Sequence, residues 1–209
     1  MKITKFSHSC LLVEMPTRTA LFDPGAMSVD QLSAHDFKFL DNIIITHEHP
    51  DHLNMEAIKK LIDQFPKVRI KAASSATKLL HEAGINSEQG AVDGVEIFDA
   101  PHENVAPLFE SPDQIGVHYL GKLTHPGDSH NFQESKAILA LPITGPWGAT
   151  TTAVNLAIQL RPSYVIPIHD WHWKDEARHQ MYEVIGQALE AEGIAFVRIE
   201  DGQPVNLDV

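Results

Sequence analysis

Short apolar runs, punctuated by turn residues, alternate along this chain with stretches of helical spacing. Runs at about 10–15, 19–22, 42–46, 68–72, 95–99, 115–120, 136–141, 164–168 and 195–200 are mostly rich in Val, Ile and Leu and end at Gly, Pro or Asp. That pattern predicts buried strands. Ile58, Leu61, Ile62 and Phe65 recur at i, i+3, i+4 and i+7, the spacing of a helix with one buried face. Ala76, Leu79, Leu80 and Ala83 repeat it, with Ser74 or Ser75 as cap and Gly84 as stop. Two further helices are expected, over about 151–160 ending at Arg161-Pro162, and over about 176–192 between the cap candidate Asp175 and Gly193. Strands and helices mixed in this order predict an α/β layered sandwich with its helices outside. No linker or low-complexity tract divides residues 1–209, so they read as a single domain.

Composition narrows the class without naming an activity. Hydrophobic residues at 43% and charged residues at 21% describe an ordinary globular protein. The formal net charge of −12 disfavours a nucleic-acid surface, which needs clustered Lys and Arg. A small phosphorylated substrate stays open, because bound cations reverse the local sign. The one cysteine, Cys10, excludes an intrachain disulfide and fits a reducing cytoplasm. Its neighbours Leu11-Leu12-Val13 make it a buried strand residue rather than a nucleophile. Met1-Lys2-Ile3-Thr4-Lys5-Phe6 shows no long apolar h-region or cleavage site, which argues against secretion, and no run approaches the ~18 apolar residues of a membrane helix. The expected setting is cytoplasmic, with neither nucleic acid nor membrane as partner.

The chemistry concentrates in Thr46-His47-Glu48-His49-Pro50-Asp51-His52, directly after the run Asn42-Ile43-Ile44-Ile45. Imidazole and carboxylate together suit a borderline cation that carries a water. His47 and His49 would point to different faces of a helix, so this is not the i, i+4 pair of a helical zinc site. In a loop leaving a strand, alternate residues can converge on one ion while Asp51 and His52 turn to a second. Two ions need more donors, and three candidates follow other apolar runs: His102, Asp128 and His169. Taken singly, each reads as a turn residue or a satisfied histidine. Together they complete two coordination spheres.

With these residues in hand, the chain resembles the metallo-β-lactamase superfamily. The resemblance rests on Asp23 in Leu21-Phe22-Asp23-Pro24-Gly25, the His47-x-His49-x-Asp51-His52 signature, His102, Gly127-Asp128-Ser129 and Ile168-His169, in the family's order over about residues 8–170. The compact length, Leu141-Pro142-Ile143-Thr144-Gly145 and Val165-Ile166-Pro167-Ile168-His169 look most like the small metal-dependent hydrolases related to ascorbate-6-phosphate lactonase. The resemblance implies a four-layer αββα sandwich. It implies that His47, His49 and His102 bind one divalent metal, zinc or manganese, that Asp51, His52 and His169 bind a second, and that Asp128 bridges them. Asp23 would support the signature loop without touching metal. Asn155 departs from the acidic residue often found near that point in the lactonase-like branch, so that substrate is not carried over.

The expected activity is hydrolysis of a small ester, lactone or phosphodiester by a metal-bridging hydroxide, with Asp51 orienting the water and handling a proton. His8, His130, Trp147 and Trp171 are candidates for the substrate pocket. Trp173 reads rather as packing, His118 as a structural strand residue, and His35, His81 and His179 as surface positions. The alternatives are an iron-dependent redox enzyme on the same fold and a non-catalytic metal-binding module. A tRNA-processing nuclease would share the ligand set but needs the basic surface this chain lacks. Self-association is expected only by analogy with relatives.

Overall fold

Apolar runs too short for helices pair into two mixed sheets, and the amphipathic stretches cover them as helices. The computed structural model describes residues 1–88, 90–106 and 110–209, and among these the chain forms twelve strands and five α-helices. It divides into two compact units, one of residues 1–93, 112–115 and 199–209, the other of residues 94–111 and 116–198.

In the first unit the elements are β1 (Lys2–Lys5), β2 (Leu11–Met15), β3 (Arg18–Phe22), α1 (Val29–Ala34), β4 (Asn42–Ile45), α2 (Met55–Gln64), β5 (Arg69–Ala72) and α3 (Ser74–Glu82). The last strand of the chain, β12 (Pro204–Asn206), returns to this sheet, whose order is β12-β1-β2-β3-β4-β5. The β3–β4–β5 part is parallel and the rest antiparallel. Ile43, Ile44 and Ile45 are all fully buried, as a strand covered on both faces requires. Each such side chain contributes about 2 kcal/mol by leaving water. Ile43 and Ile45 pack with Ile58 and Leu61 of α2 and with Ala76 and Leu80 of α3; of the positions expected on those buried faces, Ile62, Phe65 and Ala83 are only partly buried, and Leu79 is instead 40% exposed.

The second unit holds β6 (Val95–Phe98), β7 (Gly116–Tyr119), β8 (Leu123–His125), β9 (Ile138–Pro142), α4 (Thr150–Leu160), β10 (Tyr164–Ile168), α5 (Asp175–Glu190) and β11 (Ala195–Phe196), with sheet order β11-β10-β9-β8-β7-β6. Leu139, Leu141 and Val165 pack with Ala153, Leu156 and Ala157 of α4 and Ile185 and Leu189 of α5. α4 stops at Arg161 in a left-handed conformation (φ 53°), ahead of Pro162.

Some expected details change. The cap of α3 is neither Ser74 nor Ser75: the Ser74 amide donates to the Asp113 carboxylate at 2.9 Å. Asp175 opens α5 as its first residue, and the position before it is Lys174. Gly84 and Gly193 do end their helices, both at φ +77°, with the next amide turning back to Leu80 and Leu189 respectively. β1, β8, β12 and α1 were not expected, and the run at 195–200 pairs only over Ala195–Phe196. Among the described residues no helix is long and apolar enough to cross a membrane.

Candidate functional site

In the first unit, the signature loop leaves the C-terminal end of β4 and runs into α2, which Asn54 caps by accepting from the Ala57 amide at 2.9 Å. The turn after β3 clasps this loop. Ala26 N donates to the Pro50 carbonyl at 2.8 Å, and Asn54 N donates to the Pro24 carbonyl at 2.9 Å. Gly25 permits that approach, since a Cβ there would lie 1.7 Å from the Asp51 carbonyl oxygen. Asp23 has a positive φ of 43°, and its carboxylate organises the loop. Oδ1 accepts from Thr46 N at 2.8 Å. Oδ2 accepts from Thr46 Oγ1 at 2.7 Å and from His52 Nδ1 at 2.8 Å.

Because that carboxylate accepts, the proton of His52 sits on Nδ1 and its Nε2 keeps a lone pair. The His47 Nδ1 lies 3.1 Å from Thr46 Oγ1, whose own proton is committed to Asp23. His47 therefore donates from Nδ1 and also presents Nε2. The His47 and His49 rings are 4.7 Å apart edge-on, and His47 and His52 are 4.0 Å apart. Asp51 Oδ2 lies 3.1 Å from His8 Nε2 and 3.8 Å from His52 Nε2. Glu48, inside the signature, is raised above the ordinary carboxyl range by burial and by the charge of Asp113.

In the second unit, three loops at strand ends bring together His102, Asp128 and His169. His102 Nδ1 donates to the Glu103 carbonyl, and His169 Nδ1 donates to the Thr144 carbonyl at 2.7 Å. Both rings aim Nε2 at Asp128 Oδ2, at 3.6 and 3.0 Å. His169 holds a left-handed φ of 59°, a conformation that costs about 1–3 kcal/mol and is tolerated where the surroundings impose it. Beside it, buried Asp170 accepts from Tyr182 Oη, and its carbonyl accepts from Trp173 N at 3.2 Å.

Trp147 stands edge-on to His169, His130 and His102, at centroid distances of 4.9, 5.4 and 6.2 Å. His130 donates from Nε2 to the Pro142 carbonyl at 2.7 Å, and burial lowers its pKa. Trp171 is 52% exposed, whereas Trp173 packs against the core of its unit. His118 is buried, stacks on Phe98 and bonds Thr124, as a structural residue would. His81 and His179 are exposed. His35 differs from its expected surface placement: it is partly buried, edge-on to Phe6 and Phe37, and burial lowers its pKa. Cys10 is buried, which pushes its thiol pKa far up and makes it inert.

Sequence reasoning missed the groups that orient the candidate ligands. Thr46 was legible in principle, as a hydroxyl next to the first histidine. The Thr144 and Glu103 carbonyls were not, because every residue carries one.

The model of a β-lactamase superfamily domain matches residues 2–169, which include every candidate ligand and end at His169. The chain belongs to that superfamily. Within it, the chain is 30% identical over 198 residues to protein Rv0786c of Mycobacterium tuberculosis, covering 87% of this chain and 90% of the relative. It is 26% identical over 198 residues to a UPF0173 metal-dependent hydrolase of Pyrococcus furiosus, covering 83% and 86%. Among solved structures it is similar to Igni18, a metallo hydrolase of Ignicoccus hospitalis, with a TM-score of 0.70 at 20% identity over 99% of both chains. The expected mixed α/β fold of metallo-β-lactamase type is thus the observed one.

Proposed function

We propose that this metal-dependent hydrolase works with two divalent ions on a small ester, lactone or phosphodiester. The observation that best supports this is the anchoring of Nδ1 in four histidines. His47, His52, His102 and His169 each place that atom on a hydroxyl, carboxylate or carbonyl oxygen. Such partners fix a ring's tautomer and direction, so Nε2 is ready for a metal.

By superfamily position, His47, His49 and His102 would hold one ion and Asp51, His52 and His169 the other, with Asp128 shared between them. A donor set of imidazoles and carboxylates without thiolate suits zinc or manganese. Ions bound there would acidify a water and polarise a substrate carbonyl or phosphoryl oxygen.

The chain's own groups supply the rest. Asp51 has a side chain 28% exposed, so it reaches solvent while remaining beside His8 and His52. It orients the attacking water by accepting its hydrogen bond, and it passes the proton towards the leaving group. Trp147 and Trp171 offer apolar walls, and His130, with Nε2 donating to Pro142, has an Nδ1 lone pair to accept from a substrate hydroxyl or a water. The charge of −12 and the lone buried cysteine support a cytoplasmic enzyme for small molecules rather than nucleic acid. A homo-oligomer is proposed on analogy alone.

Replacing Asp51 by Ala tests the assignment. Hydrolysis of a panel of phosphodiesters, lactones and esters should fall at least ~100-fold, the low end for general acid–base groups. An Asp51→Ala protein that keeps both ions and full activity removes Asp51 from the role.

A further inference from the structure

The first unit contains a donor cluster larger than the superfamily pattern provides. His8 lies in the β1–β2 hairpin, outside the signature, yet its Nε2 is 3.1 Å from Asp51 Oδ2. His52 Nε2 approaches the same oxygen at 3.8 Å, and the three ligand atoms lie within 4.8 Å of one another. Two donors that each stand about 2.0–2.2 Å from one tetrahedral ion are about 3.4 Å apart. The observed spacings bracket that value, so these atoms are already arranged as the edges of a coordination polyhedron.

The hairpin is shaped to deliver this side chain. Ser7 and His8 both adopt left-handed backbone, with φ of 69° and 52°. Tight hairpins normally give such positions to Gly or Asn, whereas a histidine occupies one here. Phe6 N to the Cys10 carbonyl at 2.8 Å and Cys10 N to the Ser7 carbonyl at 3.1 Å close the turn. His8 is 3% exposed and edge-on to His52 at 5.7 Å.

We infer that His8 is a metal ligand. With Asp51 and His52 it forms a two-imidazole, one-carboxylate face for a first-row divalent cation, adding a donor to the second ion of the two-ion reading on which this inference rests. With His169 and the shared Asp128 of that reading the ion would have five protein donors, so a six-coordinate ion keeps one position for water or substrate.

The test reads ligation directly, in the intact chain. Protein carrying 15N-histidine is stripped and loaded with two equivalents of 113Cd, and coupling between cadmium and imidazole nitrogens is measured by NMR. The expected result is six coupled rings: His8, His47, His49, His52, His102 and His169. His8→Gln should show five and bind one of its ions at least about tenfold more weakly, since even outer partners of a ligand contribute that much. Five coupled rings in the unaltered protein, without His8, overturn the inference and leave the two-ion reading intact. No coupled ring overturns both. The wild-type spectrum decides the matter even where the variant fails to fold.

Discussion

Asp23 holds three donors with one buried carboxylate: the Thr46 amide, the Thr46 hydroxyl and His52 Nδ1. Asp23→Asn keeps the shape but puts an NH2 where an acceptor is needed, so His52 loses its orientation. Metal affinity should fall about 10–100-fold, as for outer partners of metal ligands generally, measured by competition against a chelator. Unchanged affinity would show that this carboxylate serves only the turn. Gly25→Ala probes the clasp itself, because its Cβ would sit 1.7 Å from the Asp51 carbonyl. A rigid backbone neighbour cannot yield as a side chain does, so about 3 kcal/mol of stability should be lost in urea unfolding, the upper end for overpacking. At this scale the candidate ligands were legible because His-x-His-x-Asp-His is dense and its proposed partners follow in order. The role of Gly25 was invisible, since its constraint comes from a backbone atom 26 positions away.

Elements whose sequence carried a strong period were found where the period placed them; weak ones were not. α2 has its buried Ala57, Ile58 and Leu61 on one face, whereas α1 spans six residues and buries only Leu32. β1, with Lys at both ends, is held as a strand by pairing on both sides with β2 and β12. Nothing local predicts that. The cap of α3 is likewise tertiary: Asp113→Ala should cost about 1 kcal/mol, the usual value for a lost N-cap, read as a lower urea midpoint with α2 unaffected in hydrogen exchange. β7 offers a pH test away from the candidate ligands. Burial lowers the His118 pKa, with Lys136 adding to the effect. The folded state then binds this proton less readily than the unfolded chain, whose histidine titrates near 6.5. Its stabilising contribution is complete above about pH 6.5 and is lost as the pH falls towards the lowered folded value. His118→Phe should therefore show a shallower loss of stability between about pH 7 and 5 than the wild type; equal slopes would refute the sign.

At the scale of the whole molecule, superfamily membership, the fold shared with Igni18 and the anchored imidazoles converge on metal-dependent hydrolysis. The broad fold was readable because nine apolar runs and four helical stretches fit few layer architectures. The substrate was not, because the proposed pocket residues Trp147 and Trp171 lie in loops whose shape depends on packing. Stepwise metal reconstitution tests the central claim most directly. The stripped protein is titrated with zinc or manganese while bound metal and hydrolysis of the substrate panel are followed together. The account predicts two ions per chain, no hydrolysis without metal, and full activity only as the second ion binds. Full hydrolysis by the metal-free protein, or saturation at one ion with complete activity, would contradict it.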